Sequence, residues 1–334
     1  MFNKLYSNIK EFIVENYKFL IVWGIIIFLF FYEFPFVIYT PGGVVNLEER
    51  VEVSDGYDSE GSLNMSYVSL VKGTLPMILL SYIIPNWDLV NSSEITSEDE
   101  SVSELLELER LYMRSSIDNA TILAYQTASK SIDITREVNN IVFISDEANT
   151  DLEIYDELLT ADGKEIKTVD ELREIVNSKN EGEVIEFTVN RNGSVKNCSA
   201  KIYDTLDGLK VGISFLTTYE YDTDPEITVE TRSSESGSSG GLMLTLAIYN
   251  ALVPEDITKG RTIVGTGTIS LDGTVGAIDG VKYKILGAVK NDADIFLCPD
   301  ENYEEALEVK EEFDLDIVIH SVATFSEALD YLAS

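Results

Sequence analysis

The strongest pattern in the chain lies near its start. From Phe19 to Tyr39 it reads FLIVWGIIIFLFFYEFPFVIY, with one charge, Glu33, and one helix breaker, Pro35. About twenty consecutive apolar residues are enough to cross the hydrocarbon of a bilayer, so residues 19–39 are predicted to be a single transmembrane anchor. Lys4, Lys10 and Lys18 precede this run and no Lys or Arg follows until Arg50. That asymmetry puts residues 1–18 in the cytoplasm and everything after the span outside it, at the cell membrane. A cleaved signal peptide fits less well. The apolar region is too long, and only Thr40-Pro-Gly-Gly43 follows it in place of a small-residue cleavage site.

Beyond the anchor the pattern divides into three stretches. Residues 40–136 are expected to form an extracytoplasmic β/helical segment. It holds strand-like runs such as Ser62–Leu70, an acidic patch at 92–100 that reads as a loop and helix start, and a long helix over Val102–Ser129. In that helix Leu105, Leu108, Leu111, Tyr112 and Met113 fall near helical spacing. Residues 137–205 look like a small β-rich module. It begins with a strand at 140–144, followed by a strand and Asp-Gly turn over 155–166. A short amphipathic helix at 169–176 and a hairpin over 184–203 complete it. From 207 to 334 strands and helices alternate, with strands near 211–216, 226–230, 262–270, 295–298 and 316–320. The helices fall near 242–252, 281–290, 301–311 and 325–332, an order that argues for an α/β domain.

Composition narrows the function classes. The chain has 334 residues, 45% of them hydrophobic, enough for two domains plus an anchor. Its net charge of −35 is the wrong sign for a nucleic-acid partner. No G-x-x-x-x-G-K-[ST] motif occurs, so no nucleotide is expected, and neither is a cofactor or a metal. Two cysteines, Cys198 and Cys298, fall in separate strand-like segments and read as buried, unpaired thiols.

The candidate chemistry centres on Glu235-Ser-Gly-Ser-Ser-Gly-Gly241. A Ser/Gly run of this kind most often reads as a linker, but this one opens directly onto the apolar helix beginning at Leu242. Gly237, Gly240 and Gly241 allow a tight turn that a substrate can approach closely. The helix start offers free N–H groups for an oxyanion. A serine nucleophile needs a base, and the only histidine, His320, sits in a strand and reads as a packing residue. A lysine serves only if burial lowers its pKa toward neutrality. Lys282 and Lys284 lie at opposite margins of the apolar stripe formed by Val281, Ile285, Ala288 and Val289, so periodicity leaves the choice between them open.

Two resemblances sharpen this reading. The 137–205 module resembles a PDZ domain of the bacterial protease type, carried by a strand ending in Asp162-Gly-Lys-Glu-Ile166, the helix after it and the Val189-Asn-Arg-Asn-Gly193 hairpin. That implies a peptide groove between Ile141–Ile144 and the 169–176 helix. Gly237-Ser-Ser-Gly-Gly-Leu-Met243 resembles the G-P-S-A-G nucleophile motif of Lon proteases. Thr266-Gly-Thr-Ile-Ser-Leu-Asp-Gly-Thr-Val-Gly-Ala-Ile-Asp-Gly-Val-Lys-Tyr-Lys284 is similar to their T-G-E-I-x-L-x-G-x-V-x-x-I-G-G-x-K-x-K segment. Leu297-Cys-Pro-Asp-Glu-Asn302 is similar to their strand ending in P-x-x-N. With the anchor, the chain resembles the membrane-anchored, PDZ-containing, Lon-like serine proteases of Gram-positive bacteria.

The resemblance implies a Lon-type α/β proteolytic domain over 207–334, with Ser239 as nucleophile, Lys284 as general base and Thr266 orienting the lysine. It implies an ATP-independent serine endopeptidase that cleaves secreted or membrane-associated peptides and small proteins outside the membrane. The oligomeric state is left open, a homo-oligomer included. The chain departs from the motifs at Ser238, Gly240, Thr268 and Asp279. A carboxylate at 279 favours a charged Lys284, and this supports the alternative of an inactive protease fold kept as a peptide-binding scaffold.

Overall fold

The N-terminal run folds as α1 (Phe2–Phe31). The computed structural model describes residues 2–94, 102–232 and 235–334, with side chains described except at 2–4, 7–8 and 102–106. Within α1, Ile9–Phe31 is long and apolar enough to cross a membrane, and none of that stretch is buried. The expected end of the span at Tyr39 is corrected. The helix stops at Phe31, and residues from Glu33 to Asn46 form β1 (Glu33–Asn46). Pro35 bars a continuing helix, and the Phe-Val-Ile-Tyr run after it suits a strand.

Two hairpin-like excursions follow. β2 (Ser62–Thr74) runs antiparallel to β1 and leads into α2 (Leu75–Ser81). β3 (Asp88–Asn91) then returns along the other edge of β1. The acidic patch expected as a loop and helix start begins with a single helical turn at Ser92–Glu94. Its remainder lies outside the described residues. The expected long helix is α3 (Val102–Thr127).

The β-rich module comprises β4 (Ser131–Ile144), β5 (Glu157–Ala161), α4 (Val169–Asn177), β6 (Val184–Arg191), β7 (Ser194–Lys201) and β8 (Ile213–Asp224). Its sheet runs β8-β4-β5-β6-β7. Alternate residues of β6, Ile185, Phe187 and Val189, point into a core closed by Leu172, Ile175 and Val176 of α4. β8 was expected to begin the C-terminal domain, yet it pairs with β4 along its length, from Ile213 opposite Ile144 to Asp224 opposite Ser131. β8 is therefore the edge strand. The cavity beside α4, about 450 Å³, is lined by Leu209 to Ser214, with Phe143 at its side. The groove expected between Ile141–Ile144 and the helix opens instead on the start of β8, one strand further out.

The C-terminal part contains α5 (Gly241–Leu252), β9 (Thr262–Gly265), α6 (Val281–Lys290), β10 (Ile295–Pro299), α7 (Tyr303–Glu312), β11 (Val318–Val322) and α8 (Phe325–Ala333). Its sheet runs β11-β10-β9-β2-β1-β3. β9 is parallel to both β10 and β2, pairing Ile263 with Leu63 and Val264 with Asn64. Half of this sheet thus comes from residues 33–91, which the sequence pattern had set apart as a separate segment. Ile263 faces the core shared with α5 and α8, and Val264 faces the core shared with α6 and α7. That alternation is what a sheet covered on both faces requires. Cys198 and Cys298 are buried free thiols, as expected.

Helix α4 begins with a full capping box, in which Thr168 Oγ1 accepts from Glu171 N–H and the Glu171 carboxylate accepts from Thr168 N–H. Thr168→Ala is expected to cost about 1 kcal/mol. The loss should appear as faster amide hydrogen exchange over 169–177, with exchange in α6 unchanged.

Candidate active site

Ser239 precedes the first turn of α5, whose N-cap is Gly240. The turn is tight for identifiable reasons. Gly237 sits at φ 91°, a region that disfavours side chains. At Gly241 a Cβ would lie 2.6 Å from Ser116 Oγ and 3.0 Å from the Ile269 backbone nitrogen. Helix α3 holds the same turn from outside. Ser116 Oγ donates to Ser238 O at 3.1 Å, Gly237 N–H donates to Glu109 O at 2.9 Å, and Asn119 Nδ2 donates to Ile269 O at 3.2 Å.

The end of β9 supplies the next element. Thr266 is fully buried, and its hydroxyl donates to the Ser239 carbonyl at 3.0 Å. Gly267 N–H donates to the same carbonyl at 2.8 Å, and Leu242 N–H donates to Gly267 O at 3.0 Å. With its own proton committed to Ser239, Thr266 Oγ1 accepts from Lys284 Nζ at 3.2 Å. A continuous chain of contacts therefore runs from the amine of α6 through the threonine to the backbone of the serine. The N–H groups of Ser239 and Gly240 donate to no other group among the described residues, whereas Gly241 N–H is used by Ser238 O at 3.2 Å and serves the turn.

The structure separates the two lysines that periodicity could not. Lys282 turns outward, where its Nζ meets Asp88 Oδ2 at 2.8 Å and the Tyr283 hydroxyl donates to the same oxygen at 2.6 Å. Lys284 faces the core with Val281, Ile285 and Ala288 and is only 4% exposed. Burial pushes its amine down to about 8, against the opposing pull of Asp279. Asp279 lies at an exposed position before the left-handed Gly280 that opens α6. Water screens its charge, and the loss of hydration at Lys284 prevails. Asn302 fixes the segment before it, accepting from Ile278 N–H at 2.8 Å and donating to Ile278 O at 2.9 Å.

A cavity of about 690 Å³ opens over Ser239 and Gly240, lined by Met65, Tyr67, Leu70, Met113 and Leu244. β9 stops pairing with β2 at Met65, so the edge of β2 beyond it faces this cavity. Nothing in the local pattern marks Met65, Glu109 or Ser116 as parts of the site, because each reaches Ser239 from more than a hundred residues away. Glu109 is partly buried, and burial followed by the nearby charge of Asp279 raises its carboxyl. His320 stacks on Tyr331 at 3.5 Å between ring centroids, a packing role.

Residues 226–333 match the Lon protease (S16) C-terminal proteolytic domain, and residues 128–202 match the PDZ domain. The chain is similar to the Lon protease of Haemophilus influenzae, 31% identical over 97 residues, which are 29% of this chain and 12% of that protein. It is also similar to Lon protease 1 of Thermus thermophilus, 35% identical over 115 residues, 34% of this chain and 14% of that protein. It thus spans less than a sixth of the length of these curated relatives. Among solved structures, the PDZ domain of an SdrC-like protein from Listeria monocytogenes is 17% identical, covering 25% of this chain and 93% of that one with a TM-score of 0.23.

The burial of Lys284 has a measurable sign. Between its folded value near 8 and its ordinary value of 10.5 the unfolded chain binds the extra proton, so stability rises with pH across that window. Below 8 the buried charge costs the fold up to about 3 kcal/mol. Lys284→Met should therefore melt higher than the native protein at pH 7, and the difference should shrink as pH approaches 10.5.

Proposed function

Starting from a chain that carries a Lon protease proteolytic domain and a PDZ domain, we propose that it is a membrane-anchored, ATP-independent serine endopeptidase. Its substrates are secreted or membrane-associated peptides and small proteins outside the cytoplasmic membrane. The observation that carries this reading is the buried Lys284 amine, joined through Thr266 to the backbone of Ser239. In its neutral form Lys284 takes the hydroxyl proton of Ser239 as Oγ attacks the peptide carbonyl carbon. The oxyanion is received by the unengaged N–H groups of Ser239 and Gly240. Lys284 then gives its proton to the departing amine as the C–N bond breaks. It next takes a proton from water, which hydrolyses the acyl ester and frees Ser239. Thr266 is a positioning residue that keeps the amine aimed and dry.

The substrate is held as an extended chain along the open edge of β2, whose backbone groups offer strand pairing beside the cavity. The edge of β8 beside α4 would add a second extended segment in the PDZ domain. Helix α1 serves as the anchor, with the N-terminus in the cytoplasm. The competing scaffold reading leaned on Asp279. That carboxylate is exposed, and it leaves the Lys284 amine well below its ordinary value, so the active reading is favoured.

The test is cleavage of an unstructured reporter peptide by the full chain in detergent. Ser239→Ala and Lys284→Ala should each reduce kcat/KM by at least about a thousandfold, while Lys282→Ala stays within about twofold. Native kcat/KM should rise with pH through about 8, as Lys284 loses its proton. In Asp279→Asn the midpoint should move to lower pH, since the charge that holds the proton on is gone. Equal rates for native and Ser239→Ala would end the assignment.

A further inference from the structure

Residues 75–87 read Leu-Pro-Met-Ile-Leu-Leu-Ser-Tyr-Ile-Ile-Pro-Asn-Trp, without a single charge. The first seven form α2, and none of its residues is buried. A helix this apolar in a water-soluble domain turns one face onto a core. Here Leu79 is 57% exposed, and Tyr82 and Ile83 just after it are 78% and 75% exposed. Single exposed apolar residues are ordinary, but a contiguous charge-free cluster of them marks a contact surface.

The position of the cluster says what covers it. α2 lies against α1, and β1 begins immediately after that helix ends at Phe31. Lys72, the last charge before the cluster, pairs with Glu33, the first residue of β1, at 2.9 Å, and Asp88 is the first charge after it. The Lys72–Glu33 pair therefore bounds the cluster where the chain leaves the apolar helix, while Asp88 lies opposite Tyr39, further along β1. Tyr32 follows the end of α1 and Tyr82 the end of α2, and tyrosines favour the boundary between lipid and water. β2 ties this surface to the catalytic cavity. Leu70 lines the cavity and Leu75 opens α2, five residues on, or about 17 Å along a strand.

We propose that α2 and the turn through Ile83 lie in the headgroup–acyl boundary of the bilayer that α1 crosses. This seats the catalytic cavity at the membrane surface. The substrates are then stretches of extended chain that adjoin a membrane-embedded segment, since a peptide paired along β2 emerges at the lipid. The inference rests on the reading of α1 as an anchor. A second copy of the chain is the competing occupant. The continuity of the patch with α1 favours lipid, because a surface at the exit of a span meets the bilayer before it meets another protein.

Single cysteines placed in the full chain at Ile26, Leu79, Ile83 and Leu206 carry an environment-sensitive fluorophore, with Cys198 and Cys298 protected by burial. The protein is reconstituted in vesicles of phosphatidylcholine and phosphatidylglycerol containing doxyl-labelled lipid. Quenching is expected at Ile26, Leu79 and Ile83, and none at the fully exposed Leu206. Quenching at Ile26 alone overturns the inference and leaves the anchor standing. Quenching at none of them removes the anchor too. Disulfide cross-linking between copies through Ile83→Cys, without quenching there, assigns the surface to a second chain and also overturns it. In the doubly substituted Leu79→Asp, Ile83→Asp protein, α1 still anchors the chain, but cleavage of a lipid-tethered reporter should fall roughly tenfold or more because the cavity no longer sits where the tethered segment can reach it. Cleavage of the same reporter in solution should be unchanged, and an equal fall in both would contradict the proposal.

Discussion

The site turns on one amine kept out of water. Lys284 lies on the inward face of α6 among Val281, Ile285 and Ala288, and the only hydrogen bond described for its Nζ goes to the hydroxyl of Thr266. Removing an ammonium from water is costly, and the fold meets that cost by letting the group approach neutrality. Much of the surrounding structure can be understood as what keeps the amine in place. Asn302 fixes the loop before α6, the left-handed Gly280 starts the helix, and Tyr283 stacks on Tyr39 at 5.7 Å while bonding Asp88. Those tether one face of α6 to β1 and β3, so that the opposite face carries Lys284 inward.

The same reasoning explains why Ser239 sits where it does. Its carbonyl receives two donors, Thr266 Oγ1 and Gly267 N–H, so the position of the serine is set by the end of β9 and not by its own helix. Helix α3 closes the arrangement from the other side. Ser115 Oγ donates to Thr217 O at 2.8 Å and Asp118 accepts from Tyr219 N–H at 2.9 Å, while Ser116 holds the serine turn and Asn119 bonds Ile269 O. One helix thus touches both the β-rich module and the serine turn, and it sets the angle at which the two meet.

Much of this was legible in the sequence where the determinants are local. The turn glycines, the alternation of strands and helices after 207, the short amphipathic helix at 169–176 and the buried thiols all follow from neighbours along the chain. What was not legible is long-range. The assignment of 33–39 to the span failed because an apolar run suits a strand as well as a membrane helix, and only pairing with β2 and β3 distinguishes them. The sequence pattern puts the groove beside α4 one strand too far in, because the strand that completes the sheet arrives after residue 212. Lys284 could not be separated from Lys282 by periodicity, since both flank the apolar stripe. The partner that holds Lys282 outward, Asp88, lies 194 residues earlier.

The order of strands in the catalytic sheet carries a consequence in time. β2 and β9 are neighbours, yet Asn64 and Val264 are separated by the whole β-rich module. A chain synthesised from its N-terminus presents β2 with one edge open for some two hundred residues before its parallel partner exists, and closing so long a loop is slow. Until β9 and α6 arrive, Thr266 and Lys284 are absent and the Ser239 carbonyl lacks both of its donors. Synthesised in this order, the proposed centre cannot form before the chain has passed Lys284, and by then β2, α3 and the β-rich module have already been made.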